Sequence, residues 1–298
     1  MNLVEIFEKF PTQDDCRKHL EKVRWANGPI CPYCFSNIKI AKQENENRYH
    51  CNNCKTGFSV TVNTIFHNTK VPLQKWFLAI SLILNAKKGI SAKQLQRDLK
   101  VTYKTAWYMA MRIRRAMIDQ KEMLMGIVEM DETYVGGKPR KNNKKGGPKN
   151  KRGRGTKKTP VVGMIERGKD NYVFAKVQPV LSANNLNELV RQRVNKEFSV
   201  IITDEFRGYD RLNKFINHLR INHQVEYSVG EIHTNTIESF WAILKRGIIG
   251  QYHKVSDKYL PMYLAEFCYR FNQKNNSNLF SDTLINSINT TLVQSREV

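Results

Sequence analysis

Three stretches of this sequence hold carboxylates where a carboxylate needs a reason to be. In IVEMDETYVGG (127–137), Asp131 interrupts an apolar run that reads as a strand. In VIITDEFRGYD (200–210), Asp204 stands where a hydrophobic strand stops, and in TNTIESFWAILKRG (234–247) Glu238 lies on a helix with Lys245 two turns later. Strand alternation puts Glu129, Asp131 and Thr133 on one face and Glu132 on the other. Along the helix, Ile237, Phe240, Trp241, Leu244 and Ile248 form the buried stripe, with Glu238, Ala242 and Lys245 beside it. Carboxylate oxygens suit Mg²⁺ or Mn²⁺, hard ions that keep positions open for water and phosphate. Two such ions ~4 Å apart serve in-line displacement at a phosphodiester, and Lys245 could hold a phosphate nearby. Each acid also has a plainer use: Asp204 as the cap of a following helix, and Glu238 as the partner of Asn235 in a capping box. Asp131 has the weakest such alternative, because an acid inside an apolar strand needs a partner or a metal.

The cysteines make a second set. CPYC supplies Cys31 and Cys34, and CNNC, after a sixteen-residue connection, supplies Cys51 and Cys54. Two such knuckles with strand-like IKIAKQ and RYHC between them describe a zinc ribbon, with four thiolates around one structural Zn²⁺. A redox CxxC would stand alone before a helix. Cys16 and Cys268 are isolated, and disulfides are not expected.

The elements that must position these groups follow in order. Residues 1–26 read as a helical lead-in, and Thr12 with Asp15 marks a helix start. The ribbon occupies 27–70. Region 71–120 carries a helix beginning at Pro72, then ISAKQLQRDLKVTYKTAWYMAMRIRRAM, which reads as a helix-turn-helix. Its second helix would present Lys104, Thr105, Tyr108, Arg112 and Arg115 to a DNA groove, the alternative being a hairpin whose basic face is only solvated. From 121 to 252 the rhythm becomes three strands, helix, strand, helix (RGYDRLNKF), strand (INHQVEYS), helix. That is the order of a ribonuclease-H-like domain in a multidomain α/β chain. Residues 253–298 read as a helical tail packing on that core. The insertion 136–159 carries eleven basic residues and no acid, and cannot bury anything. Lys144, Lys145, Lys151, Arg152 and Arg154 within it are candidates to grip phosphates.

The formal net charge is +22. So large an excess points to a polyanionic partner, nucleic acid first and an acidic membrane second. No run approaches the length of a membrane span and no secretory signal is recognisable, so a cytoplasmic protein is expected.

These motifs together, CPYC…CNNC followed by FSVTVNTIFHNTKVPLQKWF, then MDETYVGGK, TDEFRGY and HTNTIESFWAILKRGIIGQYHKVSDKYL, resemble the zinc-ribbon insertion-sequence transposases of the DDE type, from about residue 11 to 275. The resemblance implies a ribonuclease-H-like catalytic core with Asp131 and Asp204 as the first two metal-binding acids. Glu238 would be the third and Lys245 the basic partner. Some members carry an Asn as the third residue, and Asn235 lies one turn before Glu238; the seven-residue step to Lys245 favours Glu238. Also implied are double-stranded DNA as partner, at the element ends and the target, and a homodimer or larger assembly on it. Nicking by water and joining of the freed 3′-hydroxyls would be one phosphoryl transfer with two nucleophiles. A DNA-binding regulator without catalysis, and a metal-dependent nuclease that never rejoins, are the alternatives.

Overall fold

The computed structural model describes residues 1–43, 47–118, 121, 123–136, 158–221 and 233–291. The chain divides into two compact units, 1–117 with 276–298, and 118–275.

In the first unit, α1 (Leu3–Lys9) and α2 (Gln13–Arg24) both open on reciprocal capping boxes, Asn2 with Glu5 and Thr12 with Asp15. These satisfy backbone N–H groups that a helix start otherwise leaves open. Strands β1 (Ile40–Gln43), β2 (Arg48–Cys51) and β3 (Thr56–Phe58) then form an antiparallel sheet. Trp25 packs edge-on against Tyr49 and Phe58 behind it, with ring centroids 5.1 and 5.8 Å away. Helix α3 (Leu73–Asn85) buries Trp76, Phe77, Ile80 and Ile83. Two shorter helices follow, α4 (Ala92–Leu99) and α5 (Tyr103–Arg115). The turn between them uses Lys100 in the left-handed region, and the Thr102 hydroxyl accepts the Thr105 N–H to start α5.

The second unit is built on one five-stranded sheet. Strands β4 (Leu124–Val135), β5 (Thr159–Glu166) and β6 (Tyr172–Val177) form an antiparallel meander. Helix α6 (Ala183–Arg193), capped by Ser182, leads directly into β7 (Val194–Thr203). Strand β7 lies parallel to β4, and β8 (Asn217–Arg220) lies parallel to β7. The spatial order β6-β5-β4-β7-β8 is that of a ribonuclease-H-like core. Both faces are covered. Val128, Met130 and Met164 pack with Leu186, Val190 and Tyr209 on one side. On the other, Val161 and Ile165 pack with α7 (Asn235–Gly247) and α8 (Leu260–Asn272) through Phe240, Trp241, Leu264 and Phe267. The chain then returns to the first unit with α9 (Leu279–Asn289), which packs on α2 and α3.

The structure corrects the sequence reading in three places. RGYDRLNKF is not a helix but two 3-10 turns, Arg207–Tyr209 and Leu212–Lys214. Tyr209 has to turn inward to a buried position there, and a Cβ on Gly208 would meet Phe206 and Leu186. The next strand is Asn217–Arg220, earlier than INHQVEYS, whose residues from 222 lie outside the described part. The C-terminal tail does not act as one piece. Helix α8 belongs to the second unit, where Asn272 pairs with both backbone groups of Val173, whereas α9 belongs to the first unit.

Candidate active site

Strands β4 and β7 run parallel with Glu129 opposite Ile202. Two residues further on come Asp131, within β4, and Asp204, just past the end of β7, so the pairing itself brings the two acids together at the carboxyl end of β7. There Asp131, Glu132 and Asp204 each offer a carboxylate oxygen, all within 4.8 Å of one another. The Asp204 Oδ1 also accepts the Phe206 N–H at 3.0 Å, which fixes the turn leaving the strand. Strand alternation turns Glu132 away from Asp131. Its strand side is as expected, and the buried Tyr209 hydroxyl donates to its Oε2 at 2.9 Å from that side. The pairing of β7 with β4 ends at Ile202, so carboxylates from both faces can approach one another around the strand end.

Burial first, then the neighbouring Glu132 and Asp204 charges, push the Asp131 carboxyl up to about 7. Burial and the same acids drive the Tyr209 hydroxyl far above its ordinary value. Oxygen donors crowded at a protein–solvent boundary, mutually repelling when charged, fit a hard divalent cation.

Helix α7 is fixed to this corner. The Trp241 indole N–H donates to Asp131 Oδ2 at 2.9 Å. The indole reaches that position because Asp131 pairs with Gly163 on β5, where no side chain blocks it. A Cβ on Gly163 would lie 2.5 Å from two indole carbons and 3.1 Å from Ile237 Cδ1. Buried Glu129 accepts the Ile237 N–H at 2.9 Å. Sequence reasoning found the stripe containing Trp241 but not these polar contacts; only the acid at 129 inside an apolar strand signalled them.

Glu238 and Lys245 are both exposed on α7. Glu238 is not among the acids within 4.8 Å of one another. Its Oε1 accepts from the Thr234 hydroxyl at 3.3 Å. It does lie three residues before Trp241, hence on the neighbouring part of the same helical face. The alternative use of Glu238, as partner of Asn235 in a capping box, is not realised: Thr234 is the N-cap and makes no side-chain cap bond.

In the ribbon, Cys31, Cys34, Cys51 and Cys54 present their sulfurs within 4.8 Å of one another. The Cys31–Cys54 and Cys34–Cys51 separations are 3.6 and 3.7 Å. A tetrahedron with Zn–S bonds of about 2.3 Å has edges of about 3.8 Å, so the cluster fits a structural zinc ion.

Among the candidate DNA contacts on α5, Lys104 and Tyr108 are exposed and Arg115 is half-buried. Arg112 departs from expectation. Its Nη1 donates to the Ile65 and His67 carbonyls at 2.8 and 2.6 Å, and its guanidinium lies over the Tyr108 ring. This arginine therefore ties α5 to the stretch that follows β3. Lys144, Lys145, Lys151, Arg152 and Arg154 lie outside the described residues.

Comparison with known proteins adds an independent line. Residues 123–272 match the ISXO2-like transposase domain, and residues 11–57 match the transposase zinc-ribbon domain. An uncharacterised protein in transposable element ISH50 of Halobacterium salinarum is 32% identical over 261 residues, covering 83% of this chain and 87% of the relative. Among solved structures, a chain of the simian T-cell lymphotropic virus intasome in complex with PP2A regulatory subunit B56 gamma aligns over 57% of this chain and 63% of its own length, at 13% identity and TM-score 0.30. The pre-cleavage Mos1 transpososome aligns over 70% and 78%, at 14% identity and TM-score 0.27. Those two likenesses are loose. With its two domains matched in the expected order, the chain belongs to the ISXO2-like family of DDE transposases, enzymes that carry an N-terminal zinc ribbon.

Proposed function

We propose that this transposase binds the terminal inverted repeats of its element as a homodimer or larger assembly, cuts the ends, and joins them to target DNA. The observation that carries the reading is the convergence of Asp131, Glu132 and Asp204 where β7 ends. Asp131 and Asp204 would hold Mg²⁺ or Mn²⁺, with Glu238 from α7 as the third acid. When bound, the divalent ions supply activation of the attacking oxygen and stabilisation of the leaving one. Asp131 must lose its proton to take part, and the Trp241 indole N–H, donating to Oδ2, orients the carboxylate. Lys245 neutralises charge on the phosphate being transferred, as an ammonium acting through space. Water is the nucleophile in cutting and the freed 3′-hydroxyl in joining, so the same side chains serve both steps.

Lys104, Tyr108 and Arg115 of α5 face the DNA, together with Lys144, Lys145, Lys151, Arg152 and Arg154. Binding through these cations weakens steeply as salt rises. The test is Asp131→Ala, assayed for end binding, cleavage and strand transfer on a duplex carrying an element end. Binding without cleavage supports the proposal. Cleavage by the variant overturns the assignment of Asp131, and wild-type cleavage that never yields joined product would mean a nuclease.

A further inference from the structure

Glu129 is fully buried, two residues before Asp131 on the same face of β4. Its Oε1 pairs with Arg167 Nε, and its Oε2 accepts the Ile237 N–H at 2.9 Å, across 108 residues of sequence. Arg167 follows β5 and bonds back to β4 through its own N–H, which donates to the Ile127 carbonyl at 2.8 Å. The other arm of its guanidinium donates to the His233 carbonyl and meets His233 Nδ1 at 2.8 Å, just ahead of α7. One carboxylate thus joins β4, the end of β5 and the first turn of α7.

Two features separate this from an ordinary stabilising contact. Taking a carboxylate and a guanidinium out of water costs several kcal/mol, and apolar side chains of similar size commonly stabilise such a position as well or better. Moreover, the N-cap residue of α7 makes no side-chain cap bond of its own, so a side chain of β4 receives the Ile237 N–H. A carboxylate there also meets the positive end of the helix dipole. Where α7 begins, and how it is turned about its axis, is therefore fixed from the strand that carries Asp131.

We infer that Glu129 is a positioning residue for the reaction: it latches α7 to β4 so that the metal-facing side of the helix is held in register with Asp131. It acts through α7 and touches no reacting atom. The inference rests on the reading of Asp131 and α7 as the two sides of the metal site.

The test compares Glu129→Gln and Glu129→Asp with the wild type in the full-length protein. Gln keeps the shape but cannot offer two acceptor oxygens to Arg167 and Ile237 at once. The readouts are duplex-end binding without metal, the cleavage rate against Mn²⁺ concentration, and the ¹H–¹⁵N indole resonance of Trp241, which reports the seat of α7 on Asp131. For Glu129→Gln we expect unchanged end binding and a saturating rate lowered roughly 10- to 100-fold, the scale of a small misplacement of catalytic groups. The half-saturating Mn²⁺ concentration should rise, and the indole resonance should move. Glu129→Asp should recover part of the rate. A folded Glu129→Gln protein with wild-type rate and Mn²⁺ dependence overturns the inference, as does a rate loss that merely follows the unfolded fraction. If Glu129→Gln does not fold, Arg167→Lys removes the fork while keeping the charge, and a wild-type Mn²⁺ titration there overturns it equally. A wild type that never cleaves would sink the transposition reading instead, leaving the latch to be judged by whether the Trp241 resonance moves in Glu129→Gln.

Discussion

The contact between Gly163 and Trp241 can be tested by adding one carbon. In Gly163→Ala the new Cβ would lie 2.5 Å from two indole carbons. Carbon atoms rest about 3.5 Å or more apart, so the ring must retreat by about 1 Å. The indole hydrogen bond to Asp131, now 2.9 Å, would then pass the distance at which it contributes. Overpacking of this kind costs about 1–3 kcal/mol, and a hydrogen bond to a carboxylate contributes about 1.5–3 kcal/mol, together roughly 3–5 kcal/mol. That corresponds to a melting temperature lower by on the order of 10 °C. The cleavage rate should fall about 100-fold, since Asp131 loses the group that orients it. Differential scanning fluorimetry and a cleavage assay on a labelled end give both numbers. Adding Trp241→Phe in the Gly163→Ala background relieves the crowding, so stability should recover while activity does not. A single variant that melts within about 2 °C of wild type and cuts at the wild-type rate would refute the account of this contact.

Without metal the Asp131 carboxyl is raised from 3.8 to about 7, so the fold binds that proton more tightly than the unfolded chain does. The metal-free protein should therefore lose stability as pH rises from about 4 to 7, while Mg²⁺ affinity, measured by calorimetry, should rise on the order of tenfold per pH unit up to about 7; a flat profile contradicts the shift. Tyr209→Phe removes the donor to Glu132 Oε2 and should cost about 1–2 kcal/mol in urea unfolding; no loss would mean that the hydroxyl is idle. Chelating zinc from Cys31, Cys34, Cys51 and Cys54 should expose Trp25, seen as a red-shifted emission lost in a Trp25→Phe control, because its packing on Tyr49 and Phe58 depends on the ribbon; unchanged emission would separate the ribbon's fold from its metal. Lys104→Ala should weaken end binding and lower the slope of log affinity against log salt by about 1, and an unchanged slope would move the DNA off α5.

The strand pattern was legible because side-chain alternation and apolar runs follow backbone geometry directly. Asp131 and Asp204 stood out as acids inside or ending such runs, and the parallel pairing of β4 with β7 brings them together. Glu132 was less legible, since its approach to Asp131 depends on where the neighbouring strand stops, which alternation cannot express. Arg112 shows a similar limit. Helical spacing sets Arg112 apart from the buried stripe of α5, but the carbonyls it binds come from residues 65 and 67, and no helical pattern contains them. RGYDRLNKF misled because helical spacing ignores the demand for Tyr209 inside the sheet's flank.

The pairing of β4 with β7 has a consequence for the protein's synthesis. Within the second unit the antiparallel meander is made first, and of the three clustered acids it holds only Asp131 and Glu132. Asp204 arrives after α6, and it takes its place only when β7 slots in beside β4. On the proposed reading, a chain that stops before β7 lacks both Asp204 and Glu238 and should not cut DNA. Contacts so distant in sequence also form slowly, which sets a delay between translation and the first possible cut.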